Sequence, residues 1–252
     1  RMGVRLFNRT TRSVSLSEVG AEFVETITPA LLSIRTALEQ AGNRSAEPSG
    51  TLRLNTSAGA AKQVMPLLLE YLRRYPRMKL DIVTEGRLVD IVAQGFDAGI
   101  RLGDTVPQDM IAVDISPAQR FAVLGSPDYF VSNPVPVSPM DLKVHQCIRS
   151  RMPGGAIYHW EFERHGEALA IEVQGALTLD NPSLMLEAAR AGLGLTYLTE
   201  WNAAADLAKG TLVRVLEEWT PSFDRLRLYY PGRRHVPAGL RALIGLIREK
   251  GF

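Results

Sequence analysis

The sequence predicts an α/β fold of two lobes carried behind one long helix. Three observations predict it. Residues 51–102 alternate short strand-like runs with helix-periodic ones, and a second alternating set runs from Cys147 to Leu198. Ahead of both, Val19, Phe23, Ile27, Ala30, Ile34, Leu38 and Ala41 recur at steps of three or four, the spacing of a coiled-coil seam. The 252 residues, 46% hydrophobic and 22% charged, suffice for one to two domains with a real core.

Taken in order, residues 4–16 read as a short hairpin with Leu6 and Phe7 as apolar anchors and a polar turn from Asn8 to Arg12. Ser17 is a good N-cap for the long helix, and Glu18 and Glu22 favour the positive end of its dipole. Pro29 removes one helical hydrogen bond, so a bend is expected near it; Asn43–Gly50 has linker composition. Leu52–Asn55 is a strand and Thr56–Ala60 a small polar loop. Pro66 is expected to open a strong helix that Pro76 stops. Lys79–Thr84 is a strand, Arg87–Gln94 a helix closed by Gly95, and Asp97–Leu102 a strand, giving βαβαβ with parallel strands. Arg120–Ser126 is a further strand that Pro127 breaks.

In the second set, Cys147–Ser150 is a strand. Tyr158–Glu163 and Ala168–Val173 form an antiparallel hairpin turned by His165 and Gly166. Leu177–Asp180 is a strand, Asn181–Ser183 opens a helix that ends at Gly192, and Leu193–Leu198 is a buried strand. Leu212–Val215, Arg225–Tyr230 and an amphipathic helix from Pro237 to Lys250 complete the chain.

Composition narrows the function classes. Cys147 is the single cysteine, which excludes an intrachain disulfide and a Cys-rich zinc module. No run of about 18 apolar residues suggests a membrane span, and no basic stretch leads into an apolar one as in a secretory signal, so a reducing cytoplasm is expected. The net charge is +2, and Arg1, Arg5, Arg9 and Arg12, with no acid among the first twelve residues, outweigh that excess. A basic tip on a slightly acidic body suits contact with a polyanion at one end, though four arginines also fit a solvated terminus.

Catalytic and metal patterns are weak. His145 and Cys147 share a strand face, but two ligands do not make a zinc site, and Cys147 reads better as a small buried hydrophobe. There is no G-x-S-x-G, no P-loop and no catalytic-cysteine signature. Gly192 and Gly194 follow a helix and read as its stop, not as a dinucleotide loop. No cofactor or metal is implied.

A binding cleft has more support. Thr56 and Ser57 end a strand before a helix; Arg87, the stretch Arg149, Ser150 and Arg151, and Asn181 with Ser183 occupy similar places. Ligands of open α/β sheets bind beyond such strand ends, and an arginine fork there matches a carboxylate. Taken singly, each arginine reads as well as a surface ion pair; several at strand ends make the group credible.

The segment Gly3-Val-Arg-Leu-Phe-Asn-Arg-Thr-Thr-Arg-Ser-Val-Ser-Leu-Ser-Glu-Val-Gly20 resembles the part of LysR-type transcriptional regulators that closes their winged helix-turn-helix, whose pattern is LG-x-x-LF-x-R-x-x-R-x-V-x-LT-x-AG. Phe96-Asp-Ala-Gly-Ile-Arg-Leu-Gly103, Asp141-Leu-Lys-Val-His-Gln-Cys147 and Ala191-Gly-Leu-Gly-Leu-Thr-Tyr-Leu198 resemble the family too, so the likeness covers essentially the whole chain.

The resemblance implies a regulator lacking most of its helix-turn-helix: a wing remnant at 1–16, a linker and dimerisation helix at 17–48, and a two-lobed effector domain like type 2 periplasmic binding proteins. Lobe I would be 51–126 plus 226–252 and lobe II 127–225. DNA contacts would come from Arg5, Arg9, Thr10 and Arg12. Pairing into a homodimer, extended to a homotetramer, would use Val19, Phe23, Ile27, Ile34 and Leu38. A small anionic inducer, a carboxylate, would meet Thr56, Ser57, Ala58, Gly59, Arg87, Arg101, Arg149, Ser150, Arg151, Asn181, Pro182 and Ser183. Two positions depart from the family pattern: Gly59 replaces a frequent ligand-contacting serine, and Thr199 a frequent proline. The competing readings are a periplasmic-type solute-binding receptor, for which the stalk helix has no use, and an enzyme on the same scaffold, which lacks a reactive cluster.

Overall fold

The structure, a computed structural model, describes residues 4–9, 14–42, 47–232 and 236–252. It opens with an antiparallel hairpin, β1 (Phe7–Arg9) and β2 (Val14–Leu16), whose tip lies outside the described residues. Helix α1 (Glu18–Gly42) follows, and Pro29 does not end it. Ser17 joins the two: its Oγ accepts from the Gly20 N–H at 3.0 Å and donates to the Arg5 carbonyl at 2.6 Å. A Cβ on Gly20 would fall 2.0 Å from the Leu6 carbonyl oxygen, so this glycine lets the hairpin lie against the helix.

The first lobe contains β3 (Gly50–Thr56), α2 (Ala58–Arg74), β4 (Met78–Thr84) and β5 (Ala98–Leu102), with β3 between β4 and β5 and all three parallel. Two expectations are corrected here. Helix α2 begins eight residues before Pro66, because Ser57 caps it by accepting from the Ala60 N–H at 3.2 Å; Pro66 sits inside. The buried face Val64, Leu67, Leu68 and Tyr71 carries the helix past that proline, packing prevailing over propensity. Residues 87–94 are not a helix. Only a turn forms at 91–95, where the Asp90 carboxylate accepts from the Val92 and Ala93 N–H groups at 2.9 and 3.0 Å. Ile91 and Phe96 pack with Tyr229 in a small core that fixes this turn, and the short β-branched segment cannot meet the cost of nucleating a helix.

Strand β6 (Met110–Gly125) then leaves the first lobe for the second. The second lobe contains α3 (Pro127–Ser132), β7 (Arg149–Ser150), the hairpin β8 (Trp160–Arg164) and β9 (Glu167–Ile171), β10 (Thr178–Leu179), α4 (Pro182–Arg190), β11 (Thr196–Thr199), α5 (Glu200–Lys209) and β12 (Val213–Val215). Strand β13 (Ser222–Pro231) returns to the first lobe, where α6 (Ala238–Lys250) closes the fold. His165 and Gly166 both have positive φ, as a tight two-residue hairpin turn requires. Helix α5 has no counterpart in the sequence reading. Its Asp206 is buried and pairs with Arg190 at 2.6 and 2.7 Å, a polar residue on the inner face that hides the amphipathic pattern.

One sheet runs through both lobes in the order β11-β6-β13-β5-β3-β4, with β12 also on β6. Leu54, Leu68, Ile100, Leu228 and Leu243 belong to the first-lobe core, and all are essentially solvent-free. Each such side chain contributes about 1.5–3 kcal/mol. Val123, Trp160, Leu195 and Tyr197, and separately Ala122, Leu124, Ile148 and Met185, form the second lobe's cores. Residues 122–124 therefore pack with the second lobe, although a division at 126 assigns them to the first. Pro127 marks the end of strand β6, whereas the change of core occurs within it.

That change of core coincides with an irregular ladder. The β13–β6 register shifts between Phe223 and Arg225 and again between Arg225 and Arg227. Pro117 lacks an N–H, and the buried Ser116 Oγ substitutes for a ladder acceptor, taking the Leu226 N–H at 3.0 Å and the Gln119 Nε2 at 3.0 Å. Ser116→Ala should strand the Leu226 N–H, leave Gln119 with the Pro117 carbonyl alone and lower stability by about 1–3 kcal/mol, read as a reduced urea midpoint.

Candidate functional site

A cleft of about 880 Å3 opens between the lobes against the crossing strands. Leu102, Asp104 and Thr105 line it from the first lobe. Ser150, Met152, Tyr158 and the β8–β9 hairpin line it from the second, and Phe121, Tyr197 and Phe223 from the strands between. Phe121 stacks on Phe223 at 4.7 Å and on Tyr197 at 4.6 Å, and Tyr197 stacks on Trp160 at 5.3 Å. The Tyr158 hydroxyl donates to the Glu161 carboxylate at 3.0 Å, and the Tyr197 hydroxyl to the Glu161 carbonyl. Burial, foremost, pushes both phenols well above their usual range; for Tyr158 the Glu161 hydrogen bond and the charges of Glu161 and Asp104 add to it. Both hydroxyls remain protonated donors.

The expected effector contacts fall into three groups. Thr56 to Gly59 and Arg87 stand together at one edge: the Thr56 carbonyl accepts the Glu85 N–H at 2.8 Å, and Ser57 and Ala58 open α2. Nothing lies within 4 Å of where a Gly59 Cβ would stand, so the space a serine side chain would enter is open. Arg87 is exposed. Beside it, a Cβ on Gly86 would come 2.7 Å from Pro153 Cγ, so this edge faces the second lobe's 151–155 turn.

Ser150 alone of the twelve residues lines the cleft. Arg149 and Arg151 flank it on an extended strand and point to the opposite side. Arg151 donates to the Gly155 carbonyl at 3.1 Å, while the buried Arg149 Nε has no hydrogen-bond partner among the described residues. Asn181 caps α4, accepting from the Ser183 N–H at 2.9 Å, with Pro182 at the first helical position.

Arg101, expected among the effector contacts, is engaged within the first lobe. It is buried, donating to Asn55 Oδ1 at 2.5 Å and to the carbonyls of Ile100, Glu85 and Arg87 at 2.8, 3.0 and 3.1 Å. Burial lowers its pKa from the ordinary guanidinium value, against the raising effect of Tyr229 and Glu85. It fixes the Glu85–Arg87 loop. The reading from sequence missed the aromatic wall and the acids Asp104, Glu161 and Glu163. Its signal was the Tyr158, Trp160, Phe162 alternation, which marks a face without saying what faces it.

Elsewhere, Arg5 Nε donates to the Phe7 carbonyl at 3.1 Å. Thr10, Arg12 and the side chains of Arg9 and Leu38 lie outside what the structure describes. On α1, Val19 and Ile34 are exposed, and Phe23 and Ile27 are half-buried. Cys147 is buried in the second-lobe core, which pushes its thiol up to about 12, and the His145 Nδ1 meets the Tyr129 hydroxyl at 2.9 Å.

Comparison with known proteins gives a consistent result. Residues 45–251 match the LysR substrate binding domain family. An uncharacterized HTH-type transcriptional regulator of Escherichia coli, YcaN, is 40% identical over 98% of this chain and 82% of its own length. PgrR, an HTH-type transcriptional regulator of the same organism, is 36% identical over 100% of this chain and 85% of its own. Among solved structures, the Vibrio cholerae virulence activator AphB matches with a TM-score of 0.74 at 23% identity, over 98% of this chain and 84% of that one. CrgA of Neisseria meningitidis matches with a TM-score of 0.71 at 25% identity, over 100% and 85%. The fold is the two-lobed, type 2 periplasmic-binding-protein-like regulatory domain.

Replacing Arg101 with alanine should leave Asn55 Oδ1 and the loop carbonyls without donors and cost about 2–4 kcal/mol. Chemical denaturation of Arg101→Ala beside the parent chain measures it.

Proposed function

On the premise that this chain belongs to the LysR-type transcriptional regulators, we propose that a small effector enters the interlobe cleft, favours one arrangement of the lobes and so alters transcription. The carrying observation is the cleft itself: both lobes and both crossing strands line it, so a bound molecule touches every part that a lobe movement would displace. A ligand shifts such an equilibrium only through unequal affinity for its states, and contacts drawn from both lobes supply that inequality.

The first anchoring point is the edge formed by Thr56 to Gly59 and Arg87. The N-terminus of the 17-residue helix α2 and an exposed guanidinium next to it favour an anionic group, in particular a carboxylate. Arg151 approaches from the other lobe, on the turn that Gly86 faces. Asn181, Pro182, Ser183 and Arg149 support this edge from further out.

Outside the lobes, Arg5, Arg9, Thr10 and Arg12 contact DNA backbone from the wing, positioning the protein without reading bases. Val19, Phe23, Ile27, Ile34 and Leu38 pair α1 with a second copy. The exposure of Val19 and Ile34 supports this, because such a stripe is unfavourable in water. A dimer of dimers extends the same assembly. The relatives are transcriptional regulators, which favours sensing over turnover and gives the solute-receptor reading no support. Among the described residues no helix is long and apolar enough to cross a membrane, and we place the protein with its DNA in the cytoplasm.

A panel of mono- and dicarboxylates should contain members that raise the melting temperature of the chain by linkage, and Arg87→Ala should abolish that rise. A rise that survives the substitution removes Arg87 from the site. In the intact regulator, Arg9→Ala and Arg12→Ala should weaken binding alike across DNA sequences. Each should reduce the salt slope by about 1, as measured by titrations at several salt concentrations.

A further inference from the structure

The aromatic part of the cleft differs in charge from the edge at Arg87. Its ionisable lining is of one sign: Asp104 from the first lobe, Glu161 and Glu163 from the second, with no Lys, Arg or His. Among the described residues, neither Asp104 nor Glu163 has an ion-pair partner. Glu161 accepts only the neutral Tyr158 hydroxyl at its carboxylate. Asp104 and Glu161 line the same cleft from opposite lobes, and Glu161 meets it at the Tyr158 hydroxyl. Around that point lie the rings of Phe121, Tyr158 and Tyr197.

This lining discriminates by charge. An anion here would be drawn toward like charges. A neutral apolar molecule would desolvate carboxylates and give them no partner, which is costly. A flat cation answers both needs: its ring covers aromatic surface, and its charge gains from the carboxylates.

We propose that the cleft's aromatic end binds a small protonated aromatic amine, its ammonium bridging Asp104 of the first lobe and Glu161 of the second and its ring against Tyr158 and the edge of the Phe121–Phe223 stack. A volume of about 880 Å3 accommodates such a molecule. The bridge relieves repulsion between carboxylates of opposite lobes, so the amine favours their approach. The proposal rests on the reading of the cleft as an effector site, but not on the carboxylate edge, which uses other residues.

The test is calorimetric titration and thermal shift of the chain with tryptamine and tyramine. Two analogues with the tryptamine ring serve as comparison, the neutral indole-3-ethanol and the anionic indole-3-acetate. Saturable binding is expected for at least one amine, weaker binding for the alcohol and none for the acid at this end of the cleft. Asp104→Asn and Glu161→Gln should each weaken amine binding about tenfold, or about 1.4 kcal/mol. Asp104 is exposed on a short turn, so its variant should fold as the parent does, and its unliganded melting temperature verifies this. The proposal is overturned if neither amine saturates at millimolar concentration, if the acid binds the Arg87→Ala chain as tightly as the amine does, or if both substitutions leave amine affinity unchanged. Carboxylates that bind through Arg87 while both amines fail would sink this proposal and leave the effector reading intact.

Discussion

Two antiparallel strands, β6 and β13, make the covalent connection between the lobes, and the rest of the molecule is arranged around them. Strand β6 passes from the first-lobe core at Ile115 to the second-lobe core at Val123, and β13 from the stack of Phe223 on Phe121 to the first-lobe core at Leu226, so the lobes cannot shift without bending this ladder. At the crossing the ladder is interrupted by Pro117 and two register shifts, and Ser116 and Gln119 restore its polar pairing from side chains. A regular ladder would resist bending along its whole length. A ladder satisfied by a serine hydroxyl and a glutamine amide keeps its buried groups paired while concentrating the irregularity at one place.

The cleft inherits its chemistry from that crossing. Phe121 and Phe223, from the two strands, stack on each other and extend through Tyr197 to Trp160, so the aromatic wall is continuous with the second-lobe core. Arg214 secures the same region, binding Glu200 at 2.9 Å, the Thr220 hydroxyl at 2.9 Å and the Phe121 carbonyl at 3.4 Å. On the first-lobe side, Arg101 secures the loop that carries Arg87. The two most buried arginines near the cleft are thus scaffolding, and they leave one edge basic and the opposite end acidic.

The family motifs have local physical reasons. In Phe96-Asp-Ala-Gly-Ile-Arg-Leu-Gly103, Gly99 lies under the Tyr229 ring, where a Cβ would come 2.4 Å from Cζ, and Arg101 reaches across to Asn55. In Ala191-Gly-Leu-Gly-Leu-Thr-Tyr-Leu198, Gly192 takes the positive φ that ends α4, and Gly194 lets the chain approach the Gln146 carbonyl. Such residues are constrained by backbone geometry, which is why they could be read in one dimension.

What the sequence determined by itself was the parallel β3-β4-β5 unit, the hairpin turned at His165, the Ser17 cap, the helix start at Asn181 and the apolar stripe of α1. These rest on periodicity, turn chemistry and capping, all of which act within a few residues. Tertiary structure alone decided that Pro66 lies inside a helix, that residues 87–94 do not form one, and that the change of core falls within β6. It also turned Arg101 inward, set Arg149 and Arg151 opposite Ser150, and brought Asp104 and Tyr158 to one cleft. Each of those outcomes depends on which distant side chains share a volume, and no local pattern encodes that.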